Sequence, residues 1–157
     1  NTLGPIGERL AAREDLVPLA VRLGLGASFV YLGVVQKLLM PGQALGVVTK
    51  YDLTAVVPVS PELWVVGAGL TEMALGIALA LGLFTRAGCG VAILMFTTTL
   101  FGLPDDPVLA HISLFGLVSV LVITGGGAYS ADRWLAERFG WTGRFESPSV
   151  DAAPTTD

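Results

Sequence analysis

Four long apolar stretches alternate with short polar stretches along the chain. They cover residues 17–40, 61–84, 87–103 and 107–124. A bilayer core of about 30 Å requires roughly 20 apolar residues in a helix, and shorter runs of about 17 still cross it. This pattern predicts an all-α fold, an integral membrane four-helix bundle at residues 17–128. The link LPDDP is so short that the third and fourth spans must form an antiparallel hairpin.

The segments outside the predicted spans are polar or amphipathic. Residues 1–16 suggest an N-terminal interfacial arm, and residues 129–145 combine tryptophan with arginine, which is typical of an interfacial helix. Residues 146–157 contain acids and no base, so we predict a disordered tail. Residues 41–61 place apolar side chains at helical spacing, which indicates an amphipathic helix at the membrane surface or a lid over the bundle. Those side chains are Ala44, Val47, Val48 and Tyr51.

Composition separates this chain from ordinary soluble domains. Of its 157 residues, 53% are hydrophobic and only 14% are charged, whereas soluble domains are about 25% charged. The lipid bilayer is therefore the first partner that we expect. A net charge of −4 argues against nucleic acid as a partner, because binding phosphates requires a basic surface.

The basic residues predict an orientation in the membrane. If both termini are cytoplasmic, six arginines lie on the cytoplasmic side, and only Lys37 and Lys50 lie toward the outside. Cytoplasmic loops carry the excess of Lys and Arg, so the pattern favours a multi-pass protein with N-in and C-in topology. The six arginines are Arg9, Arg13, Arg86, Arg133, Arg138 and Arg144.

Glu72 is the most informative residue, because it stands near the middle of the second span. A carboxylate at that depth costs several kcal/mol unless it is paired, protonated or facing water inside a bundle. Gly69, Gly76 and Ala80 share its helix face, so Glu72 is expected in a groove where a neighbouring helix approaches closely. A structural interpretation has Glu72 pair with a cation or a hydroxyl group and fix the register of the bundle. Another interpretation is that the Glu72 side chain is protonated and faces lipid.

A functional interpretation combines Glu72 with Lys37, near the outer end of the first span, and His111, one turn inside the fourth. Together they would bind a polar head group, a quinone carbonyl or an exchangeable proton. His111 can equally be an interfacial histidine. Arg22 and Arg86 mark the inner side: Arg22 can snorkel to the interface, as can Lys37, and Arg86 suits a turn anchor or the positive-inside pattern.

Motifs for bound redox groups are missing from the sequence. Cys89 is the single cysteine, so neither an internal disulfide nor a CxxC pair exists. The sequence has no GxGxxG, P-loop, HExxH or CxxCH motif, and one histidine without further ligands does not predict a metal site. We therefore expect no covalently bound cofactor and no metal, and a quinone as the possible ligand.

Several short motifs, in order, resemble the DoxX family of small four-helix membrane proteins (the DoxX/DoxD-like group). Arg22 is followed by Gly33 and Lys37, and Glu72 precedes a G-x-x-T-R turn at residues 82–86. A histidine, His111, opens the fourth span, and a glycine-rich segment leads from Gly125 to Asp132. The resemblance covers residues 16–135.

The resemblance implies a plasma-membrane protein of a prokaryote that is linked to a redox process. DoxD-like relatives resemble membrane subunits of thiosulfate:quinone oxidoreductase. We therefore expect a membrane subunit of a respiratory, quinone-linked process that acts with other subunits or as a homo-oligomer. If it is catalytic, it is expected to be a quinone-linked oxidoreductase subunit. The alternative is a non-catalytic accessory subunit of a larger membrane complex.

Overall fold

The computed structural model describes the backbone of residues 16–102 and 108–140, and the side chains of residues 16–102 and 112–140. These parts of the chain contain six α-helices and no strand, so the predicted all-α class is confirmed. The first α-helix continues directly into a π-helical segment, Leu32–Leu39. The α-helices are α1 (Leu16–Tyr31), α2 (Gly42–Lys50), α3 (Pro61–Leu81), α4 (Thr85–Gly102), α5 (Val108–Thr124) and α6 (Ala131–Arg138).

Two of the four predicted spans are long and apolar enough to cross a membrane by length and composition. They are Leu16–Leu39, which joins α1 to the π segment, and α3. Helices α4 and α5, with 18 and 17 residues, are not among them. For these two helices, crossing the membrane stays a prediction.

Local chemistry sets the ends of α3. The Ser60 hydroxyl accepts a hydrogen bond from the backbone N–H of Leu63 at 3.3 Å, and Pro61 occupies the first helical position, as the sequence predicts. The helix ends at Leu81, three residues before the predicted end at residue 84. Gly82 takes a left-handed conformation, with φ at +68°, and this caps the helix there.

The four long helices pack as a ring: α1 contacts α3 and α5, and α4 contacts the same two helices. At one end of this ring, called here the Arg22 end, α1 begins, α3 turns into α4, and α5 leads into α6. At the opposite end, called the Lys37 end, the π segment meets α2 and the start of α3. The buried core comprises Leu25, Phe29, Leu75, Leu79, Cys89, Ala92, Phe96, Val118 and Leu121.

Glycines hold α1 and the π segment against α3. A Cβ atom added at Gly26 would lie 2.6 Å from the Gly76 carbonyl oxygen, and one added at Gly33 would collide with the Gly69 carbonyl oxygen. Gly26 thus faces Gly76, and Gly33 faces Gly69. Because the residue numbers rise on one side of the interface and fall on the other, the two elements run antiparallel. The predicted groove of small residues on α3 is thus confirmed, and its partner is the first span.

Helix α2 packs over the Lys37 end, against α3 and the π segment. Val48 is buried, and Ala44, Val47 and Tyr51 are partly buried, whereas Gln43, Gly46 and Lys50 on the other face are exposed. The amphipathic helix predicted within residues 41–61 is confirmed for residues 42–50.

Other predicted segments fall partly outside the described residues. Helix α6, at Ala131–Arg138, provides the core of the helix predicted at 129–145, and the Ser130 hydroxyl accepts a hydrogen bond from Arg133 N–H at 3.2 Å. The arm at residues 1–15, the link at 103–107 and the chain from residue 141 onward, including the predicted tail, lie outside the described residues.

Candidate functional site

The structure joins Lys37 and Glu72. The Nζ atom of Lys37 donates a hydrogen bond to Oε2 of Glu72 at 2.7 Å, and the two side chains are 21% and 12% exposed. Lys37 belongs to the π segment, a rare helix form that frequently occurs at functional sites. This salt bridge spans the interface between the first and second predicted spans.

Glycines leave space for both side chains of the pair. A Cβ atom added at Gly69 would lie 3.0 Å from Cβ of Lys37, and one added at Gly33 would lie 3.3 Å from Cβ of Glu72. Larger residues at either position would displace the pair or separate the helices. The glycine face that brings α3 against the first span therefore also shapes the polar site.

Both head groups keep hydrogen-bonding capacity beyond the salt bridge. An ammonium group has three donors and a carboxylate has two acceptor oxygens. Among residues 16–102 and 112–140, the contact between Nζ and Oε2 is the only hydrogen bond of either head group. The remaining N–H groups of Lys37 and Oε1 of Glu72 can therefore bind a further polar group.

An aromatic cluster begins one turn from Glu72, toward the Arg22 end. Cβ of Phe29 lies 2.9 Å from the position of a Cβ atom added at Gly76, four residues beyond Glu72. The Phe29 ring stacks on Phe96, with centroids 5.4 Å apart, and Phe115 meets Phe96 edge-on at 5.8 Å. The charged pair thus borders the packed aromatic part of the core.

Of the remaining predicted site residues, Arg22 and Arg86 are not joined to this pair. His111 belongs to α5, one turn before Phe115, and its side chain lies outside the described residues. Arg86 is exposed at the Arg22 end. Its Nε lies 3.9 Å from the position that a Cβ atom added at Gly125 would take. In the part of the chain that the structure describes, no group of three His, Cys, Asp or Glu residues could hold a metal ion.

Arg22 forms a second buried polar centre. Its Nη1 donates to the Gly126 carbonyl at 2.7 Å, and its Nη2 donates to the Tyr129 carbonyl. The guanidinium group lies against Gly82, where an added Cβ atom would collide with it. Arg22 is only 3% exposed. Arg22 therefore does not extend into solvent, because the segment between α5 and α6 covers its head group.

Asp132 completes the Arg22 end. Its carboxylate accepts hydrogen bonds from Phe84 N–H at 2.6 Å and Thr85 N–H at 2.8 Å, and its own N–H donates to the Gly82 carbonyl at 2.9 Å. These bonds cap the start of α4 and hold α6 to the turn between α3 and α4. Sequence reasoning noted Asp132 only as the last residue of the motif that begins at Gly125. That motif was the feature of the sequence that pointed to Asp132.

The two polar centres have different chemistry. Both Nη atoms of Arg22 donate to backbone carbonyls and Asp132 accepts from backbone amides, so these contacts form a structural joint at the Arg22 end. The pair of Lys37 and Glu72 combines an ammonium group with unused N–H donors and a carboxylate with an unused oxygen, so it can donate to a carbonyl group and accept from a donor.

Comparison with known proteins identifies the family. No curated protein and no solved structure matches the chain. The family model described as DoxX matches residues 17–104, more than half of the chain, and contains both members of the salt bridge as well as Arg22 and Arg86. The chain therefore belongs to the DoxX family, whose members are membrane-associated.

Proposed function

We propose that the protein is a four-span subunit of a quinone-linked redox complex, and that Lys37 and Glu72 bind the polar head of the quinone. The observation that supports this most directly is the salt bridge of 2.7 Å between two membrane-length helices, whose head groups form no further hydrogen bond with the described residues. Intramembrane ionisable residues are rare and commonly mark a substrate or proton pathway.

The chemistry of a quinone fits this pair. A quinone carbonyl accepts hydrogen bonds, and the spare N–H groups of Lys37 can donate them. Reduction to the quinol takes up electrons and protons in equal number, and Glu72 can pass the protons. The electrons would come from a partner redox protein, since the chain carries no motif for a bound redox group. The packed rings of Phe29, Phe96 and Phe115 keep the core beside the pair apolar, as a flat, apolar quinone ring requires of its surroundings.

The proposed topology follows from the positions of the charges. The protein would lie in the plasma membrane of a prokaryote, with the Arg22 end at the cytoplasmic side and the Lys37 end at the outer side. Glu72 is 11 residues from the start of α3, which places it about 16 Å below the outer end of that helix. Glu72 would therefore lie near the bilayer midplane, and Lys37 would approach it from the outer side.

The test is a binding measurement on purified protein in lipid nanodiscs. Decyl-ubiquinone and a short-chain menaquinone analogue are added, and bound quinone is measured by equilibrium dialysis. We expect Glu72→Gln and Lys37→Met to weaken binding at least tenfold. Glu62→Gln is the matched control, because Glu62 is an exposed acid in the first turn of the same helix. Equal quinone binding by Glu72→Gln and Glu62→Gln would refute the proposed site.

A second candidate is the non-catalytic accessory subunit. It is supported by an apolar groove of about 570 Å³ between α1 and α3, lined by small and apolar residues that include Ala27, Val30 and Ala80. Such surfaces suit the close approach of another membrane helix. If Glu72→Gln leaves turnover of the native complex unchanged while Ala27→Leu disperses that complex, the accessory role replaces the quinone site.

A further inference from the structure

We propose that the Arg22 end carries an aromatic anchor that docks on the head-group region of a phospholipid bilayer, and that Asp132 and Arg22 position this anchor. The anchor comprises Phe84, Tyr129, Trp134 and Phe139. Their exposed fractions are 70%, 64%, 62% and 65%, so none of them serves the packed core.

Phe84 is the clearest sign that this surface is built for a partner. Its φ angle is +48°, a left-handed conformation that is a genuine outlier for a bulky side chain. Asp132 holds it there, because Oδ1 of Asp132 accepts the Phe84 N–H at 2.6 Å. A phenyl ring held outward by a strained backbone and by the hydrogen bonds of Asp132 indicates a surface that contacts something apolar.

The other anchor residues are fixed to the same joint. The Tyr129 carbonyl accepts a hydrogen bond from Nη2 of Arg22, so the backbone beneath the Tyr129 ring is tied to α1. Trp134 and Phe139 belong to α6 and its C-cap, and α6 is bonded to the turn after α3 through the N–H and carboxylate of Asp132. These residues are therefore all tied to the Arg22 end of the ring of helices.

This joint lies at the ends of the two membrane-length helices. Leu16–Leu39 begins and α3 ends at the Arg22 end. Tryptophan and tyrosine, such as Trp134 and Tyr129, are enriched at the boundary between acyl chains and head groups, because their rings are amphipathic. An anchor fixed to the ends of these apolar helices is therefore held at the head-group boundary.

Charge complementarity identifies phospholipid as the occupant. Arg86, Arg133 and Arg138 are exposed at the same end. Arg133 pairs with Glu137 at 3.0 Å, whereas Arg86 and Arg138 form no ion pair with any residue in the described parts of the chain. The carboxylate of Asp132 is directed to backbone amides. Arginine next to exposed aromatic rings matches phosphate groups above acyl chains better than it matches an acidic protein surface.

The experiment places a nitroxide label at residue 84 and measures its depth. Phe84→Cys is made in a Cys89→Ala background, so that the label has one attachment site. The full chain is reconstituted in nanodiscs of phosphatidylethanolamine and phosphatidylglycerol. Collision with oxygen, which concentrates in the bilayer, is compared with collision with a water-soluble nickel chelate. Leu94→Cys is the control for a deep position, because Leu94 is 66% exposed midway along α4.

We expect the label at residue 84 to lie at the interface: more accessible to oxygen than a label in water, and more accessible to nickel than the label at residue 94. A label as accessible to nickel as a free nitroxide would overturn the proposal. So would a label shielded from both reagents, since that result would indicate a protein partner or a second copy of this chain.

Asp132→Ala tests the positioning role. Removing the carboxylate frees the Phe84 N–H, so the label at residue 84 is expected to become more mobile and its depth less uniform. Glu137→Ala is the matched control, because it removes an exposed acid from the same helix. If Asp132→Ala leaves the mobility and the depth of the label unchanged, Asp132 does not position the anchor.

Discussion

The Lys37 ammonium group contacts the Glu72 carboxylate at 2.7 Å across an interface where the backbones of α3 and the first span meet through glycine. The pair is mostly buried, so each charge depends on the other. Breaking a buried pair by removing one partner destabilises a protein, whereas replacing both partners with apolar residues is often tolerated.

The first prediction concerns this dependence. Glu72→Gln should lower the free energy of unfolding by about 2 kcal/mol, because the mostly buried Lys37 ammonium group would lose its counter-charge. Thermal unfolding in mild detergent measures the loss. The double variant Lys37→Met with Glu72→Leu should recover most of it, and Glu62→Gln should change stability by less than about 0.5 kcal/mol. A double variant less stable than Glu72→Gln would contradict a pairing role.

Glycine at the helix interface gives the second prediction. Gly26→Ala should destabilise the protein by about 1–3 kcal/mol, because the new Cβ atom would lie 2.6 Å from the Gly76 carbonyl oxygen and force the helices apart. Gly24→Ala, two residues away, has no atom within 4 Å of the new Cβ atom and should be neutral or stabilising. Unfolding in a denaturing detergent titration compares them. Equal losses in both variants would argue against the close contact.

The third prediction concerns Arg22. Arg22→Lys should cost about 2 kcal/mol despite keeping the charge, because an ammonium group cannot reproduce the two separate guanidinium bonds to Gly126 and Tyr129. Limited proteolysis between α5 and α6 should become faster. Arg133→Gln, which removes an exposed pair with Glu137, should cost no more than about 0.5 kcal/mol. If the two variants are equally stable, the joint at the Arg22 end does not hold α6.

Cys89 gives the fourth prediction. Its side chain is 0% exposed in the core, so a maleimide should label the folded protein in mild detergent at least a hundred times more slowly than the protein unfolded in SDS. Thr49→Cys in a Cys89→Ala background is the control, because Thr49 is exposed on α2. Rapid labelling of folded Cys89 would mean that the core opens readily.

Much of the fold could be predicted because it rests on local rules. Hydrophobic length marked the helices, Ser60 and Pro61 marked the start of α3, and Ser130 marked the start of α6. Helical spacing put Gly69, Glu72 and Gly76 on one face. Each of these inferences uses residues within a few turns of one another, where backbone geometry fixes the relation.

The sequence by itself determined that Glu72 is an anomaly in an apolar helix with a small-residue face, and that cations stand at both ends of the first span. Only the tertiary structure decided which group each of these cations contacts. Lys37 reaches Glu72 over 35 residues, and Arg22 reaches Tyr129 over 107 residues. Periodicity carries no information about contacts at such separations, because they depend on how the helices pack. The glycine contacts of that packing bring Lys37 to the acid, and the segment between α5 and α6 covers Arg22.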